Sequence, residues 1–179
     1  MALSSSYSSP FLLLLLLFAT AAIASSDDGG EKTTHLHYYL HANYGGPNTT
    51  TITVVSPPGN DSGSSFGSIA VGDHMLKEGL DPSSTLIGKA EELAVQASLG
   101  SPAYLSAFNF VFTAGDYNGS SISILGRAAP SDAAIERGVV GGSGMFRMAR
   151  GYTISRVVKS TGPDDFLFVM EFDAYVFLY

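Results

Sequence analysis

Residues 139–152 read Val-Val-Gly-Gly-Ser-Gly-Met-Phe-Arg-Met-Ala-Arg-Gly-Tyr, the densest cluster of glycine, arginine and aromatic residues in the chain. The glycine-rich run 141–144 predicts a sharp turn or a bulge, where the backbone needs positive φ. If the chain then continues as a strand, Phe146, Met148 and Arg150 share one face. An arginine on an apolar face needs partners that offset its desolvation. Arg150 is therefore interpreted either as a partnered core residue or as a ligand contact.

Strand-like runs separated by glycine-rich turns extend on both sides of this cluster. Short strands at regular intervals indicate an all-β sandwich or barrel. No repeat or second-domain boundary is visible, which predicts a single domain over residues 34–179. The runs are residues 35–41, 50–55, 66–71, 103–113, 120–125, 138–142, 145–158 and 166–179.

One segment does not fit this pattern. Residues 88–98 consist largely of helix formers. The apolar residues in and beside the segment also recur at helical spacing: Ile87, Ala90, Leu93, Ala94 and Ala97. Propensity alone therefore predicts a helix here.

The N-terminal segment is typical of a secretory leader. Residues 11–18 are Phe, six Leu and Phe, and the small-x-small sequence at 22–24 predicts cleavage after Ala24. A membrane helix needs about 20 apolar residues, and this run soon gives way to serine and aspartate. We therefore expect a signal peptide over residues 1–24, with a retained anchor as the alternative, followed by a flexible polar arm over residues 25–33.

Composition excludes several classes of function. The chain has 179 residues, 9 Lys+Arg, 16 Asp+Glu, a net charge of −7 and no cysteine. It can therefore form no disulfide, thiol nucleophile or cysteine-ligated metal site, and it has no basic stripe for nucleic acid. Behind a leader, the sequons at Asn48, Asn60 and Asn118 predict glycosylation of at least one of them.

Motifs for metal binding and hydrolysis are weak. On a strand His35 and His37 share a face, but His41 lies about 13 Å from His37 and no carboxylate completes a shell. The run 141–144 lacks both the Gly-x-Ser-x-Gly elbow of hydrolases and the lysine of a phosphate loop. We predict no metal, no cofactor and no catalytic nucleophile.

Several motifs together resemble those of the plant dirigent proteins. They are the 139–152 stretch, Tyr-Asn-Gly-Ser at 117–120, Ile-Leu-Gly-Arg at 124–127, His-Tyr-Tyr-Leu-His at 37–41 and Gly-Pro-Asn at 46–48. The resemblance extends from about His35 to Tyr179. It implies an eight-stranded antiparallel β-barrel related to allene oxide cyclase, in which residues 88–98 form a strand.

The resemblance also implies a function. Dirigent proteins are secreted to the plant apoplast, are usually trimers, and bind phenolic radicals that a separate laccase or peroxidase makes. They orient two radicals so that coupling gives one stereoisomer, and some members instead cyclise quinone methides. A closed eight-stranded barrel has room for one small ligand, and aromatic walls can orient flat guests.

This chain departs from the family at three polar positions. The acid that follows the family histidine corresponds to Ala42, a second acid corresponds to Ala128, and an arginine corresponds to Ile135. Asp132, Glu136 and Arg137 lie nearby in sequence and are candidate replacements.

Strand alternation then predicts which residues face the cavity. If Ala42 points inward, Tyr38 and Leu40 do so as well, whereas His37, Tyr39 and His41 face outward. The further candidates for cavity residues are Tyr104, Phe108, Phe146 and Arg150. Core packing is the alternative interpretation for each of them.

The favoured hypothesis is a dirigent auxiliary protein without redox chemistry of its own, which steers coupling of phenoxy radicals such as those of coniferyl alcohol. One alternative is a quinone-methide cyclase or dehydratase that uses the same cavity. The other is a structural organiser of lignin deposition in the cell wall. A homo-oligomer is expected, a trimer before a dimer.

Overall fold

The computed structural model describes residues 32–57, 66–161 and 167–178, and these form nine strands. The predicted leader (1–24), the arm up to residue 31 and Asn60 lie outside the described residues. Lys32 and Thr33, expected in the arm, already pair with the last strand. The strands are β1 (Lys32–Asn43), β2 (Thr51–Val55), β3 (Ile69–Lys77), β4 (Leu86–Gln96), β5 (Tyr104–Phe112), β6 (Ser121–Ala128), β7 (Ile135–Ser143), β8 (Arg150–Ser160) and β9 (Leu167–Leu178).

All strand pairs are antiparallel, and the sheet closes into an eight-membered ring. The order is β1-β9-β8-β7-β6-β5-β4-β3, and β1 returns to β3 through the pairs Tyr39–Lys77, Leu40–Leu76 and His41–Met75. The other end of the same β3 edge pairs with β2, for example Thr51 with Gly72. β1 and β2 therefore share one place in the ring, and the expected eight-stranded barrel is confirmed.

The helix that propensity predicts over residues 88–98 is wrong. β4 pairs with β3 on one edge and with β5 on the other. Its inward positions include Gly88 and Ala90, which are buried. Small residues fit there because neighbouring strands come close: a Cβ on Gly88 would lie 2.2 Å from the carbonyl oxygen of Val111. Tertiary pairing overrides helix propensity in this segment.

The strand expected over residues 145–158 begins later, at Arg150. A 3₁₀ turn at Gly144–Phe146 follows β7, with φ of 60° at Gly144 and 62° at Met148. Of the glycine-rich run 141–144, only Gly144 lies in this turn and has positive φ, because residues 141–143 still belong to β7. The expected irregularity is present as a register shift against β6 just before Gly141. Phe146 and Arg150 do not share a strand face, because Phe146 is fully buried and Arg150 is exposed.

Aromatic side chains fill one half of the barrel interior. The Tyr38 ring stacks on Phe172 at 5.8 Å between centroids and meets Phe110 edge-on at 5.2 Å. Phe146 packs against Phe112 at 5.7 Å and so extends the same cluster. Each such pair adds to the free energy of burial. Among the described residues, none belongs to a helix of membrane-spanning length and hydrophobicity.

Gly151 lies where the motif stretch joins β8, and its backbone conformation excludes side chains. Its φ is 143°, and a Cβ there would lie 1.9 Å from the carbonyl oxygen of Tyr175. We expect Gly151→Ala to lower the free energy of unfolding by about 3 kcal/mol, measured by urea denaturation. Gly141→Ala, where no atom lies within 4 Å of the added carbon, is the control. Equal midpoints for the two variants would contradict this account.

Candidate functional site

The other half of the barrel interior is a cavity of about 600 Å³. It opens at the end of the barrel where β4 ends and β5 begins. Phe108 lies between the two halves, since it contacts Phe110 and Phe172 and also lines the cavity. Apolar wall is supplied by Ala70, Ala94, Ala128, Ile135, Phe168 and Met170, and polar wall by Tyr44, Thr51, Glu92, Tyr104, Ser106 and Arg137.

Arg137 carries a buried positive charge in this wall. Its Nε donates to Ser106 Oγ at 2.7 Å and its Nη1 donates to Ser155 Oγ at 2.9 Å. The guanidinium carbon lies 5.3 Å from the centre of the Phe108 ring, a cation–π contact. Burial lowers the pKa of Arg137, and the nearby Glu92 carboxylate opposes that shift. An arginine remains cationic under such a shift, so the cavity keeps a fixed donor.

Glu92 and Tyr44 bring further polar groups to the same space. Glu92 Oε2 lies 2.9 Å from Nε2 of His74, whose side chain is fully buried. The Tyr44 ring packs on Phe168 at 5.1 Å. Burial raises the pKa of Tyr44, with the Glu92 charge acting in the same direction. The Tyr44 hydroxyl is therefore a neutral donor at any physiological pH.

The structure places the predicted cavity residues in three locations. Tyr104 and Phe108 line the cavity, as does Arg137, one of the suggested replacement groups. Other candidates lie fully buried in the packed interior, outside the cavity lining: Tyr38, Leu40, Ala42 and Phe146. Two more lie on the outer surface: Arg150, beside a shallow depression, and Asp132, whose carboxylate pairs with Arg127 at 3.2 Å.

Two of the three positions where the family pattern has polar groups also line the cavity. They are Ala128 and Ile135, and the third, Ala42, pairs in register with the cavity residue Phe168. The inward direction assigned to Ala42 agrees with its complete burial. In this chain all three contribute apolar surface.

Sequence reasoning missed Glu92 and His74. Glu92 lies in the segment that propensity assigned to a helix, so its direction was not inferred from strand alternation. Strand alternation through residues 90, 92 and 94 is the signal that would have directed it inward. His74 follows Gly72 and Asp73, which interrupt the hydrophobic pattern of the preceding residues. No local signal in the sequence therefore indicated that β3 continues to His74.

The three histidines tested for metal binding lie on the outer side of β1. Nε2 of His35 and Nδ1 of His37 lie 2.9 and 3.0 Å from Asp173 Oδ1, and His41 contacts the carbonyl of Gly79. Within the described part of the chain, no group of three possible ligands is close enough to hold a metal. Sequon residues Asn48 and Asn118 are exposed.

These observations define a class: a closed antiparallel barrel with an aromatic base and a cavity that opens at one end. Comparison with known proteins identifies the family. The Dirigent-like protein family model matches residues 33–177. The chain belongs to the dirigent protein family.

Relatives within the family include proteins with different names. Dirigent protein 1 of Arabidopsis thaliana is 35% identical over 79% of this chain and 77% of its own length. Pterocarpan synthase 1 of Glycyrrhiza echinata is 35% identical over 81% of this chain and 78% of its own. A solved pterocarpan synthase dirigent protein superposes with a TM-score of 0.75 at 34% identity, covering 83% of this chain and 86% of that one.

Ser106 is a structural support for the buried arginine. Replacing it with alanine leaves Nε of Arg137 without its partner, and a buried charged donor left unpaired costs about 1–3 kcal/mol. We expect Ser106→Ala to lower the free energy of unfolding by that amount, measured by urea denaturation. Ser123→Ala removes an exposed 2.7 Å bond to Asn109 and should change stability by less than about 0.5 kcal/mol. If Ser106→Ala leaves the free energy of unfolding unchanged, Arg137 does not depend on this hydrogen bond.

Proposed function

We propose that this protein is a dirigent auxiliary protein that binds flat, phenol-derived intermediates in its barrel cavity and directs the stereochemistry of their coupling. The guests are phenoxy radicals of the monolignol type, made by a separate laccase or peroxidase. The observation that carries the proposal is the cavity itself, with an aromatic base and a polar wall around Arg137.

The volume suits more than one aromatic ring. An engineered protein cavity of about 150 Å³ holds one benzene molecule. The present cavity is about four times larger, at about 600 Å³, and lies within the usual range for small-molecule sites. Two substituted phenols therefore have room to meet inside it.

The wall can also distinguish the two faces of a guest. Phe108 offers a ring surface, while Arg137, Tyr44 and Tyr104 offer donors to phenolic, methoxyl or carbonyl oxygens. A guest that satisfies these donors is held in one orientation. A preference of about 3 kcal/mol between two approach faces gives better than hundredfold selectivity. Binding alone is enough to supply such a preference.

A second function is favoured by two specific observations. Relatives named pterocarpan synthase match most of this chain, and a carboxyl group, Glu92, lines the cavity. Both observations support closed-shell quinone methides as ligands of the same cavity. In this alternative the protein is a cyclase or dehydratase and needs no oxidant.

We propose in addition that the protein acts outside the cell. The leader over residues 1–24 and the exposed sequons at Asn48 and Asn118 support secretion and glycosylation. Apolar side chains exposed on the outer faces of β4, β5 and β6, such as Leu93, Leu105 and Leu125, support association with further copies of the chain, for which we propose a homotrimer. Light scattering of the secreted protein tests the oligomeric state.

The steering function is tested by coupling coniferyl alcohol with a laccase in the presence of the purified protein. We expect enantiomeric excess in the dimer that rises with protein concentration. The dimer is analysed by chiral chromatography. Racemic product at every protein concentration would contradict the proposal.

A matched pair of variants locates the effect in the cavity. Ala94→Phe places a ring inside the cavity and is expected to abolish the enantiomeric excess while the barrel remains folded. Glu91→Phe changes a polar residue that is exposed on the outer face of the same strand, and it is expected to retain the enantiomeric excess. If both variants give the same enantiomeric excess, this cavity does not determine the stereochemistry of the product.

A further inference from the structure

Gly72 creates a gap on the inner face of β3 that the imidazole of His74 occupies. Gly72 pairs directly with Glu92 across the β3–β4 ladder, and His74 pairs with Ala90. A Cβ on Gly72 would lie 2.3 Å from Nε2 of His74. The ring can therefore lie back over Gly72 and reach Glu92 on the diagonal, at 2.9 Å. Any side chain at position 72 would displace it.

Thr50 completes a chain of hydrogen bonds that ends at the cavity. Its Oγ1 lies 2.8 Å from Nδ1 of His74 and accepts a bond from the Asn43 N–H at 2.9 Å. The hydroxyl proton has two acceptors, Nδ1 of His74 or the Asn43 carbonyl oxygen at 3.2 Å. When it points to Nδ1, the imidazole donates through Nε2 to a Glu92 carboxylate. When it points to Asn43, Nδ1 becomes the donor to Thr50.

The two arrangements can differ by one proton. In both, a proton lies between His74 Nε2 and Glu92 Oε2. In the second arrangement His74 Nδ1 carries a further proton, so the His74–Glu92 pair holds two protons instead of one. In both, the two imidazole nitrogens have a hydrogen-bonding partner, so gain or loss of the proton leaves no buried group unpaired. Glu92 is the member of the chain that lines the cavity.

We propose that Glu92 is the proton-exchanging residue of this cavity, with His74 and Thr50 as positioning residues that store and orient its proton. The inference rests on the proposed binding of phenol-derived guests and adds a reaction for closed-shell ones. It assigns the proton transfer to the β3–β4 wall. The positions that the family pattern uses, Ala42 and Ala128, are apolar here.

The substrate class is a quinone methide that carries a tethered hydroxyl group. The pair gives its proton to the quinone oxygen, and the electron pair of the methide double bond moves into the ring, which becomes an aromatic phenol. The hydroxyl oxygen attacks the methide carbon and forms a C–O bond. Its O–H bond breaks, and that proton returns to the pair. The reaction is an isomerisation with no net change in protons or electrons.

The surroundings of the pair are suited to this exchange. The titratable and charged groups that share the cavity with Glu92 are Arg137 on β7, Tyr44 after β1 and Tyr104 on β5. β2 contributes Thr51 and Thr53, which do not titrate. Arg137 faces the developing negative charge on the carboxylate once the proton has left, which favours release of the proton.

The test measures oxidant-free cyclisation of a para-quinone methide with a tethered primary hydroxyl by the full-length secreted protein. We expect Glu92→Gln to lower kcat about 100-fold or more, the usual contribution of a general acid–base group. The Kd for the saturated phenol analogue should change by less than about threefold.

Two further variants distinguish a loss of proton transfer from a general loss of structure. Glu91→Gln changes the neighbouring acid, which is exposed on the outer face of β4, and should behave as wild type. Gly72→Ala leaves Thr50, His74 and Glu92 in the chain but displaces the imidazole. We expect Gly72→Ala to lower kcat at least about tenfold while the Kd for the saturated phenol analogue stays unchanged, because the displaced imidazole no longer positions the Glu92 carboxyl group.

The outcomes distinguish this inference from the proposed function. A Glu92→Gln protein that keeps the wild-type rate overturns the inference. A wild type that gives enantiomeric excess in radical coupling but no cyclisation above the buffer rate also overturns it, and leaves the proposed function standing. A wild type that binds no saturated phenol contradicts the proposed function, and the inference with it.

Discussion

The contact of Tyr38 with Phe110 and Phe172 is the interaction on which the rest of the structure depends. A closed ring of eight strands has a narrow interior, and large side chains can fill it entirely. Here three rings from β1, β5 and β9 occupy one half and hold these strands at a fixed separation. The Tyr38 hydroxyl is buried and has no hydrogen-bond partner among the described residues, and burial raises its pKa well above the usual range. The polar groups that line the cavity and could meet a guest lie in the other half.

Strand alternation predicted more of this arrangement than propensity did. Assigning Ala42 to the inner face placed Tyr38 and Leu40 inward correctly, because a period of two leaves no freedom once one residue is fixed. Alternation gives the direction of a side chain but not its depth along the barrel axis. It could therefore not separate Tyr38, in the packed half, from Phe108, which reaches the cavity. That distinction depends on the relative shift of neighbouring strands, which only the folded pairing determines.

The polar half was the part that sequence reasoning could not assemble. β4 has alanine, glutamate and leucine in an order that satisfies a helix locally, and it becomes a strand only because β3 and β5 pair with both of its edges. The contact between His74 and Glu92 joins two strands on a diagonal and requires the gap above Gly72. Arg137 was a candidate only because it lies near Ile135 in sequence, and its partners Ser106 and Ser155 come from two other strands, β5 and β8. Such contacts have no local signal.

The division of one ring position between β1 and β2 has a consequence for the motion of the cavity wall. β1 closes the ring against β3, so the barrel does not need β2 to stay closed. Within the described chain, β2 is paired along one edge only, with β3, through a short ladder that carries the wall residues Thr51 and Thr53. Local opening requires few hydrogen bonds to break when one short ladder holds an element. The part of the cavity wall that β2 forms can therefore open locally while the eight-stranded ring stays closed.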